Sequence, residues 1–229
     1  MTGFRLTPAR RRGVEILDDP RTPDDVRAES MEDVERSNVL FGGRRAVSRV
    51  AGPLLRDGDV LLDVGTGRGD IPIHLAGEAA HRGARITTIG LDISLTLARV
   101  ASGRVDSVVM GDARRLPFRD ASVDVVTSSQ VAHHFFDDDL RQLIAELHRV
   151  SRRHVVLADL RRSLVAALAF WIASFLWRFH WATRLDGVTS VLRGFTPNEL
   201  AAIVRDVTGV TPTVRRGVFW RVTAEWPAR

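Results

Sequence analysis

Residues 60–70 read VLLDVGTGRGD, and this stretch decides the fold class. An apolar run typical of a buried strand carries Asp63 near its end, and glycines follow at positions 65, 67 and 69. Glycine permits a tight turn close to a ligand, and free amides at the start of the next helix attract polar groups. The spacing Gly-x-Gly-x-Gly differs from the Gly-x-Gly-x-x-Gly of dinucleotide-binding turns. The stretch therefore predicts a strand, a ligand-binding turn and a helix.

Predicted strands and helices alternate along the chain. The strands cover residues 60–64, 85–91, 107–110, 123–128 and 154–158, and the helices cover 23–38, 44–55, 70–81, 94–101 and 137–150. This alternation is typical of a doubly wound α/β sheet. Residues 213–225 predict two last strands around Gly217, and residues 1–19 predict a poorly ordered arm.

Composition removes several classes of function. The 229 residues include no cysteine, which excludes disulfides, thiolate zinc sites and a cysteine nucleophile. All 33 basic residues are arginine and the net charge is +5, which a GC-rich genome explains better than an anionic partner does. The arginines are scattered and lack interleaved aromatic residues, which argues against a nucleic-acid partner. Residues 1–12 lack the apolar segment of a secretory signal, so we expect a cytoplasmic location.

Further motifs follow residues 60–70 in order. Asp92 ends the second predicted strand, and Gly111-Asp112-Ala113 follows the third. Leu116-Pro117-Phe118 precedes the fourth strand, and residues 128–135, SSQVAHHF, come after it. From about residue 58 to residue 160, these motifs closely resemble those of class I S-adenosylmethionine-dependent methyltransferases. The resemblance implies a Rossmann-like seven-stranded mixed sheet and S-adenosylmethionine as the cofactor.

The resemblance also implies a role for each matching residue. Asp92 would accept hydrogen bonds from both ribose hydroxyls, and Ile93 would pack on the adenine ring. Asp112 and Ala113 would bind the edge of the adenine. The residues expected at the methionine end of the cofactor are Asp63, Gly65, Thr66, Gly67 and Gln130.

The same resemblance implies how the chain is organised. Residues 1–55 would form an N-terminal arm and helical cap, and residues 56–229 the methyltransferase domain. Residues 161–195 would be a lid insert over the acceptor site. Segments 16–20, 36–43, 159–163 and 186–196 resemble a bacterial subgroup often encoded beside type III polyketide synthases, which implies a small phenolic, polyketide or quinone-like acceptor.

His133 and His134 are the candidate catalytic residues. Methylation of a phenolic oxygen requires the loss of one proton, which a histidine within hydrogen-bond reach can accept. The alternative is that the pair only packs at the start of the next helix. No metal site is predicted, because the acidic run 137–139 is explained by its position at a helix N-terminus.

Residues 164–177 form an almost unbroken apolar run of 14 residues. As a helix it would be about 21 Å long, too short for a hydrocarbon layer of about 30 Å. Three interpretations stay open: a lid over the acceptor, a peripheral membrane contact through residues 164–181, and packing in the core or a homodimer. The lid interpretation predicts these acceptor-binding residues: Trp171, Phe175, His180, Arg184 and Arg193.

The sequence therefore predicts an enzyme that methylates a small aromatic or polyketide-like acceptor, on oxygen, by in-line displacement. Three alternatives belong to other classes: a C-methyltransferase of a quinone or lipid-like precursor at the membrane, an RNA or protein methyltransferase, and a cofactor-binding protein without activity. The chain is expected to act as a monomer or a homodimer.

Overall fold

The computed structural model describes residues 6–19 and 21–228, which contain seven strands and eight α-helices. The strands are β1 (Val60–Val64), β2 (Thr87–Asp92), β3 (Ser107–Met110), β4 (Val123–Ser129), β5 (Ser151–Leu160), β6 (Thr213–Gly217) and β7 (Arg221–Pro227). The helices are α1 (Asp24–Leu40), α2 (Gly43–Ala51), α3 (Asp70–His81), α4 (Leu95–Ser102), α5 (Asp137–Val150), α6 (Leu164–Leu176), α7 (Trp181–Arg193) and α8 (Pro197–Thr208). Short 3₁₀ turns lie at Ile16–Asp18, Gly52–Leu54 and Ala132–His134.

The seven strands form one mixed sheet in the order β3-β2-β1-β4-β5-β7-β6. Strands β1 to β5 run parallel, and β7 lies antiparallel between β5 and β6. The chain reverses its direction of travel across the sheet between β1 and β4, where Val64 pairs with Ser128. Open α/β sheets bind ligands at such a switch point, outside the carboxyl ends of the strands. The predicted fold class is confirmed.

The core occupies both faces of the sheet because successive strand residues point to opposite sides. Leu62 and Val64 of β1 face a cluster that includes Leu143 of α5 and the buried Trp226 of β7. Leu61 faces the other cluster, which α2 and α3 complete. Burial on both faces is complete along β4, where every residue from Val123 to Ser128 is buried.

The described part of the N-terminal segment packs against the domain, which corrects the prediction of a poorly ordered arm. The backbone amides of Ile16 and Leu17 donate to the carboxylate of Asp186 at 2.7 and 2.9 Å. Glu15 is buried, and Arg10 donates to the carbonyl oxygen of Phe135 at 2.9 Å. Residues 1–5 of the predicted arm lie outside the described residues, and so does Pro20 of segment 16–20.

Helices α6 and α7 pack against each other after β5. The hydroxyl of Ser163 caps α6 by accepting from the amide of Ala166 at 3.4 Å. Gly187 of α7 lies against the ring of Phe170, where an added Cβ would come within 2.0 Å of Cε1. Helix α7 also contacts α1 and the Ile16–Asp18 turn. None of the helices in residues 6–19 and 21–228 combines the length and apolarity needed to cross a bilayer.

Candidate active site

A cavity of about 570 Å³ opens at the carboxyl edge of the parallel strands. Residues that follow β3, β2, β1 and β4 line it in the same order as these strands lie in the sheet. Neighbouring strands are about 4.8 Å apart, so the cavity is elongated across four strands. Residues 15–18 and α1 contribute the remaining wall. All nine predicted cofactor residues and both candidate histidines line this one cavity.

The glycine turn after β1 supplies the floor beside the methionine end predicted for the cofactor. Gly65 has φ +72°, a left-handed conformation that favours glycine. A Cβ there would lie 2.2 Å from Cγ2 of Val131, so a side chain has no room. Gly67 also lines the cavity, with φ +55°. The turn therefore presents backbone without side chains to the cavity, which fits a ligand that approaches closely.

Asp63 lies beneath this turn and is fully buried. Its carboxylate accepts a hydrogen bond from the hydroxyl of Thr127 at 2.7 Å. Burial raises the pKa of Asp63 to about 7, although the hydrogen bond from Thr127 opposes that rise. A ligand ammonium nearby would favour the ionised carboxylate, so Asp63 suits the cationic methionine end of the predicted cofactor.

Asp92 is positioned to hold a ribose. Its two carboxylate oxygens accept from the backbone amides of Gly67 and Ser94 at 2.8 and 2.9 Å. Each oxygen keeps a further lone pair for a ribose hydroxyl. Burial raises the pKa of Asp92 above its ordinary value. The next residue, Ile93, is 70% exposed on the cavity wall, which suits the face of an aromatic ring.

Asp112 and Ala113 line the far end of the cavity, but Asp112 differs from the simple acceptor that was predicted. Arg114 donates to its carboxylate from Nε at 3.1 Å and from Nη2 at 2.6 Å. The pKa of Asp112 is lowered by this side-chain hydrogen bonding. The amino group of a bound adenine would therefore share the Asp112 carboxylate with the Arg114 guanidinium. This reduces the contribution that we expect Asp112 to make to cofactor binding.

Gln130 belongs to a polar chain that sequence reasoning missed. It has φ +58°, and its amide nitrogen donates to the side-chain oxygen of Asn38 on α1. Buried Arg221 donates to the amide oxygen of Gln130 at 2.6 Å. Asn38 also donates to Asp70 at 3.3 Å. In the sequence, the only sign of this polar chain was that Asn38 lies in segment 36–43, which resembles the bacterial subgroup. That resemblance did not indicate which residues Asn38 would contact.

The two histidines each have a carboxylate partner on Nδ1. His133 is buried and its Nδ1 lies 2.7 Å from Asp159, whose other oxygen accepts the His133 backbone amide at 3.0 Å. His134 is half-buried, and its Nδ1 lies 3.1 Å from Asp18. The ring centroids are 4.2 Å apart. Since a carboxylate accepts, each Nδ1 carries the proton and each Nε2 is left as the basic nitrogen.

Both basic nitrogens point toward Glu15. The Nε2 atoms of His133 and His134 lie 3.7 and 4.0 Å from its carboxylate oxygens. Burial alone would lower the pKa of His134, but the hydrogen bond to Asp18 and the charge of Glu15 raise it above its ordinary value. The pKa of Asp18 falls to about 2 against the effect of burial, through His134 and Arg193. Sequence reasoning missed Glu15 and Asp159 as site residues.

Arg193 contacts this cluster, although not as the predicted acceptor ligand. Its buried guanidinium donates to Glu15 at 3.2 Å and to Asp18 at 3.1 Å. It also donates to the carbonyl oxygens of His133 and His134 at 3.1 and 2.9 Å. Arg193 therefore fixes the position of the acids and of the histidine turn, which makes it a positioning residue.

The other predicted acceptor residues do not line the cavity, which corrects this part of the lid interpretation. Trp171 and Phe175 of α6 are exposed, and Arg184 stacks on Phe175 at 4.3 Å. His180 caps α7 and bonds Ser30 at 3.4 Å. The reason is that α6 buries Ala166, Ala167 and Ser174, so Trp171 and Phe175 lie on its outer side. The wall near the histidines is instead formed by Leu17, Met31, Phe135 and Ser190.

Glu15, His133 and His134 are the group in the described ranges that could hold a metal ion. One ligand atom from each lies within 4.8 Å of the others. Nitrogen and carboxylate donors of this kind suit zinc. However, Arg193 already brings a positive charge to the same Glu15 carboxylate, and the histidine Nε2 atoms are equally suited to accept protons.

Comparison with known proteins returns methyltransferases, the class that the sequence motifs predict. Residues 62–158 match the methyltransferase domain family. The chain is 28% identical over 162 residues to the demethylmenaquinone methyltransferase of Thermotoga maritima, covering 64% of this chain and 68% of that protein. It is 37% identical over 114 residues to the 27-O-demethylrifamycin SV methyltransferase of Amycolatopsis mediterranei, covering 46% of this chain but only 40% of that protein.

A solved structure agrees with the fold. A SAM-dependent methyltransferase from Aquifex aeolicus superposes with a TM-score of 0.63 at 15% identity, covering 87% of this chain and 97% of that one. At this identity the likeness concerns the fold alone.

Proposed function

We propose that this chain, a class I S-adenosylmethionine-dependent methyltransferase, methylates a hydroxyl oxygen of a small aromatic or polyketide-like acceptor. The single observation that supports the choice of oxygen is His134, which lines the cavity with a carboxylate on Nδ1 and a basic Nε2. A hydroxyl acceptor must lose a proton as it is methylated, and such a histidine can take it. A relative whose name specifies a 27-O position is consistent with this choice.

The proposed mechanism divides the cavity between two tasks. S-adenosylmethionine supplies a methyl group already activated on a sulfonium sulfur. Asp92, Asp63 and the glycine turn bind and orient the cofactor from the β2 and β1 side. On the β4 side, His134 Nε2 would accept the proton of the acceptor's hydroxyl group, and that oxygen would receive the methyl group that the bound cofactor supplies. Asp18 holds the imidazole orientation and stabilises the imidazolium formed.

Methylation of carbon in a quinone-type precursor is the second candidate. It is favoured by the match to a demethylmenaquinone methyltransferase over 64% of this chain. The two candidates differ in the atom that receives the methyl group. Incubation of the enzyme with ¹³C-methyl-labelled S-adenosylmethionine and extracted metabolites, followed by NMR of the product, separates a methoxy carbon from a C-methyl carbon. A methoxy signal supports the proposal, and a C-methyl signal overturns the choice of oxygen.

The pH dependence should report the titration of His134. The proposed base is active only when neutral, and the hydrogen bond to Asp18 and the charge of Glu15 raise its pKa above the ordinary histidine value. We therefore expect kcat/KM to rise with pH, with its midpoint displaced upward in the same direction. Asp18→Asn removes the hydrogen-bonded charge that raises this pKa, so the midpoint should move to lower pH. A pH–rate profile measured for both proteins checks the direction, and an unchanged midpoint in the variant would contradict this role of His134.

Removal of metal ions should leave kcat unchanged. In the proposed mechanism Arg193 supplies the positive charge beside Glu15, and His134 takes the proton, so no Lewis acid is needed. Dialysis against EDTA followed by a kcat measurement provides the check, with the undialysed enzyme as control. A loss of activity that Zn²⁺ restores would instead assign Glu15, His133 and His134 to a metal centre.

A further inference from the structure

Helix α6 exposes most of its large apolar side chains, although Phe170 packs inward against Gly187 of α7. Leu168, Ile172 and Leu176 are 60%, 55% and 74% exposed, and they follow one another at four-residue intervals. The buried positions are instead Ala166, Ala167 and Ser174. Such an arrangement is the reverse of a helix that covers a protein core, where the large residues face inward. Within residues 6–19 and 21–228, the outer face of α6 is therefore left without a packing partner.

The exposed apolar surface continues beyond α6. Trp177 packs edge-on against Phe41 at 5.7 Å, and Phe41 packs against Phe219 of the β6–β7 turn at 6.2 Å. Trp181 and Leu185 of α7 are exposed as well. We call this surface the α6–α7 face; its exposed apolar members are Val165, Leu168, Trp171, Ile172, Phe175, Leu176, Trp177, Trp181, Leu185 and Phe219.

The charged side chains of the segment that contains α6 and the start of α7 are all basic. Residues 161–185 contain four arginines and one histidine but no aspartate or glutamate. Arg178 is exposed at the end of α6, and Arg184 extends over the ring of Phe175 at 4.3 Å. Arg36 of α1 is exposed nearby and donates to the carbonyl oxygen of Trp177 at 3.3 Å, but it also pairs with Asp33 at 3.1 Å. His180 likewise lies 3.8 Å from the exposed Glu29 of α1, so Arg178 and Arg184 are the cations on which the argument rests. Cations beside an apolar strip with three tryptophans match the headgroup and acyl layers of an anionic bilayer.

From this pattern we propose that the α6–α7 face docks onto an anionic lipid surface, with α6 lying in the plane of the interface. The aromatic and aliphatic residues would enter the headgroup–acyl boundary, and the arginines would contact lipid phosphates. A second copy of the chain fits this surface less well. A twofold dimer through the same face would enclose Arg178 and Arg184 of both copies, and residues 161–185 offer no acid to pair with them. The inference does not depend on the identity of the methyl acceptor.

Vesicle sedimentation tests the proposal with the full chain. The wild type should bind vesicles of phosphatidylcholine mixed with phosphatidylglycerol more tightly than vesicles of phosphatidylcholine alone. Leu168→Glu combined with Ile172→Glu should reduce binding to the anionic vesicles by about tenfold or more. Arg178→Gln should reduce it by about fivefold, since each arginine near an anionic surface contributes about one kcal/mol. Ala202→Glu, an exposed position on α8, is the matched control and should bind like the wild type.

Two further measurements keep the outcomes distinct. Thermal unfolding checks that each variant is folded, and the tryptophan emission of the wild type should shift to shorter wavelength when anionic vesicles are added. Equal binding to both kinds of vesicle, or equal binding by the Leu168/Ile172 double variant, would overturn the proposal. So would a dimer, seen by sedimentation velocity, that the double variant dissociates while the wild type does not bind vesicles.

Discussion

Replacing His134 with alanine should lower kcat by about 10²–10⁴-fold, the usual contribution of a positioned general base. The Nε2 atom of His134 is the proposed proton acceptor, and Asp18 orients it from the opposite side of the ring at 3.1 Å. Asp63, the glycine turn and Asp92 belong to the β1 and β2 ends, and Gln130 is the one predicted cofactor residue that follows β4 as His134 does. The S-adenosylmethionine Kd should therefore stay close to the wild-type value. Single-turnover kinetics with a purified acceptor measure the change in rate. Calorimetric titration with S-adenosylmethionine measures its Kd.

His81→Ala provides the matched control for this experiment. His81 is an exposed histidine at the end of α3 and does not line the cavity. Its loss should leave kcat unchanged. An unchanged kcat in His134→Ala, with a normal Kd and normal thermal unfolding, would show that the histidine only packs beside α5. In that case another group must accept the proton.

Replacing Asp92 with alanine should weaken S-adenosylmethionine binding by about 100-fold or more. Hydrogen bonds to a charged group contribute about 1.5–3 kcal/mol each, and Asp92 would lose two from the ribose. Asp112→Ala should have a much smaller effect, because Arg114 already occupies its carboxylate from Nε and Nη2. Calorimetric titration of both variants ranks the two acids, and an equal loss in both would contradict this difference.

The structural role of Asp92 needs its own control, because its carboxylate also accepts from the amides of Gly67 and Ser94. Asp106 likewise accepts a backbone amide, from Thr88 at 2.8 Å, but does not line the cavity. Asp106→Ala should therefore retain cofactor binding. If its Kd rose as far as that of Asp92→Ala, the loss of a backbone hydrogen bond rather than a ribose contact would explain both.

Most of the sheet and the cavity side that follows β1 to β3 could be predicted from sequence. The reason is that the signals there are local: a buried apolar run ends in an acid or a glycine turn, and parallel topology brings those ends to one edge. Asp63, Gly65 and Asp92 therefore line the cavity as expected. The interaction of Arg114 with Asp112 is local too, yet a pattern match does not show that a neighbour already holds the acid.

The acceptor side could not be predicted because its contacts join distant parts of the chain. Glu15 meets His133 and Arg193, which lie far apart in sequence. Charged residues near an N-terminus look the same in sequence whether they are solvated or buried with partners. The orientation of α6 could not be predicted either. A helix that is apolar all round does not reveal which side faces the protein, so Trp171 and Phe175 were assigned to the cavity while the structure turns them outward.

The most direct test of the central claim is transfer of radiolabelled methyl from S-adenosylmethionine into a lysate of the source cells, followed by separation into organic extract, RNA and protein. We expect wild-type enzyme to place label in the organic extract, and His134→Ala to place far less there. Label confined to RNA or protein, or no transfer into any fraction, would contradict the assignment of this chain as a small-molecule methyltransferase.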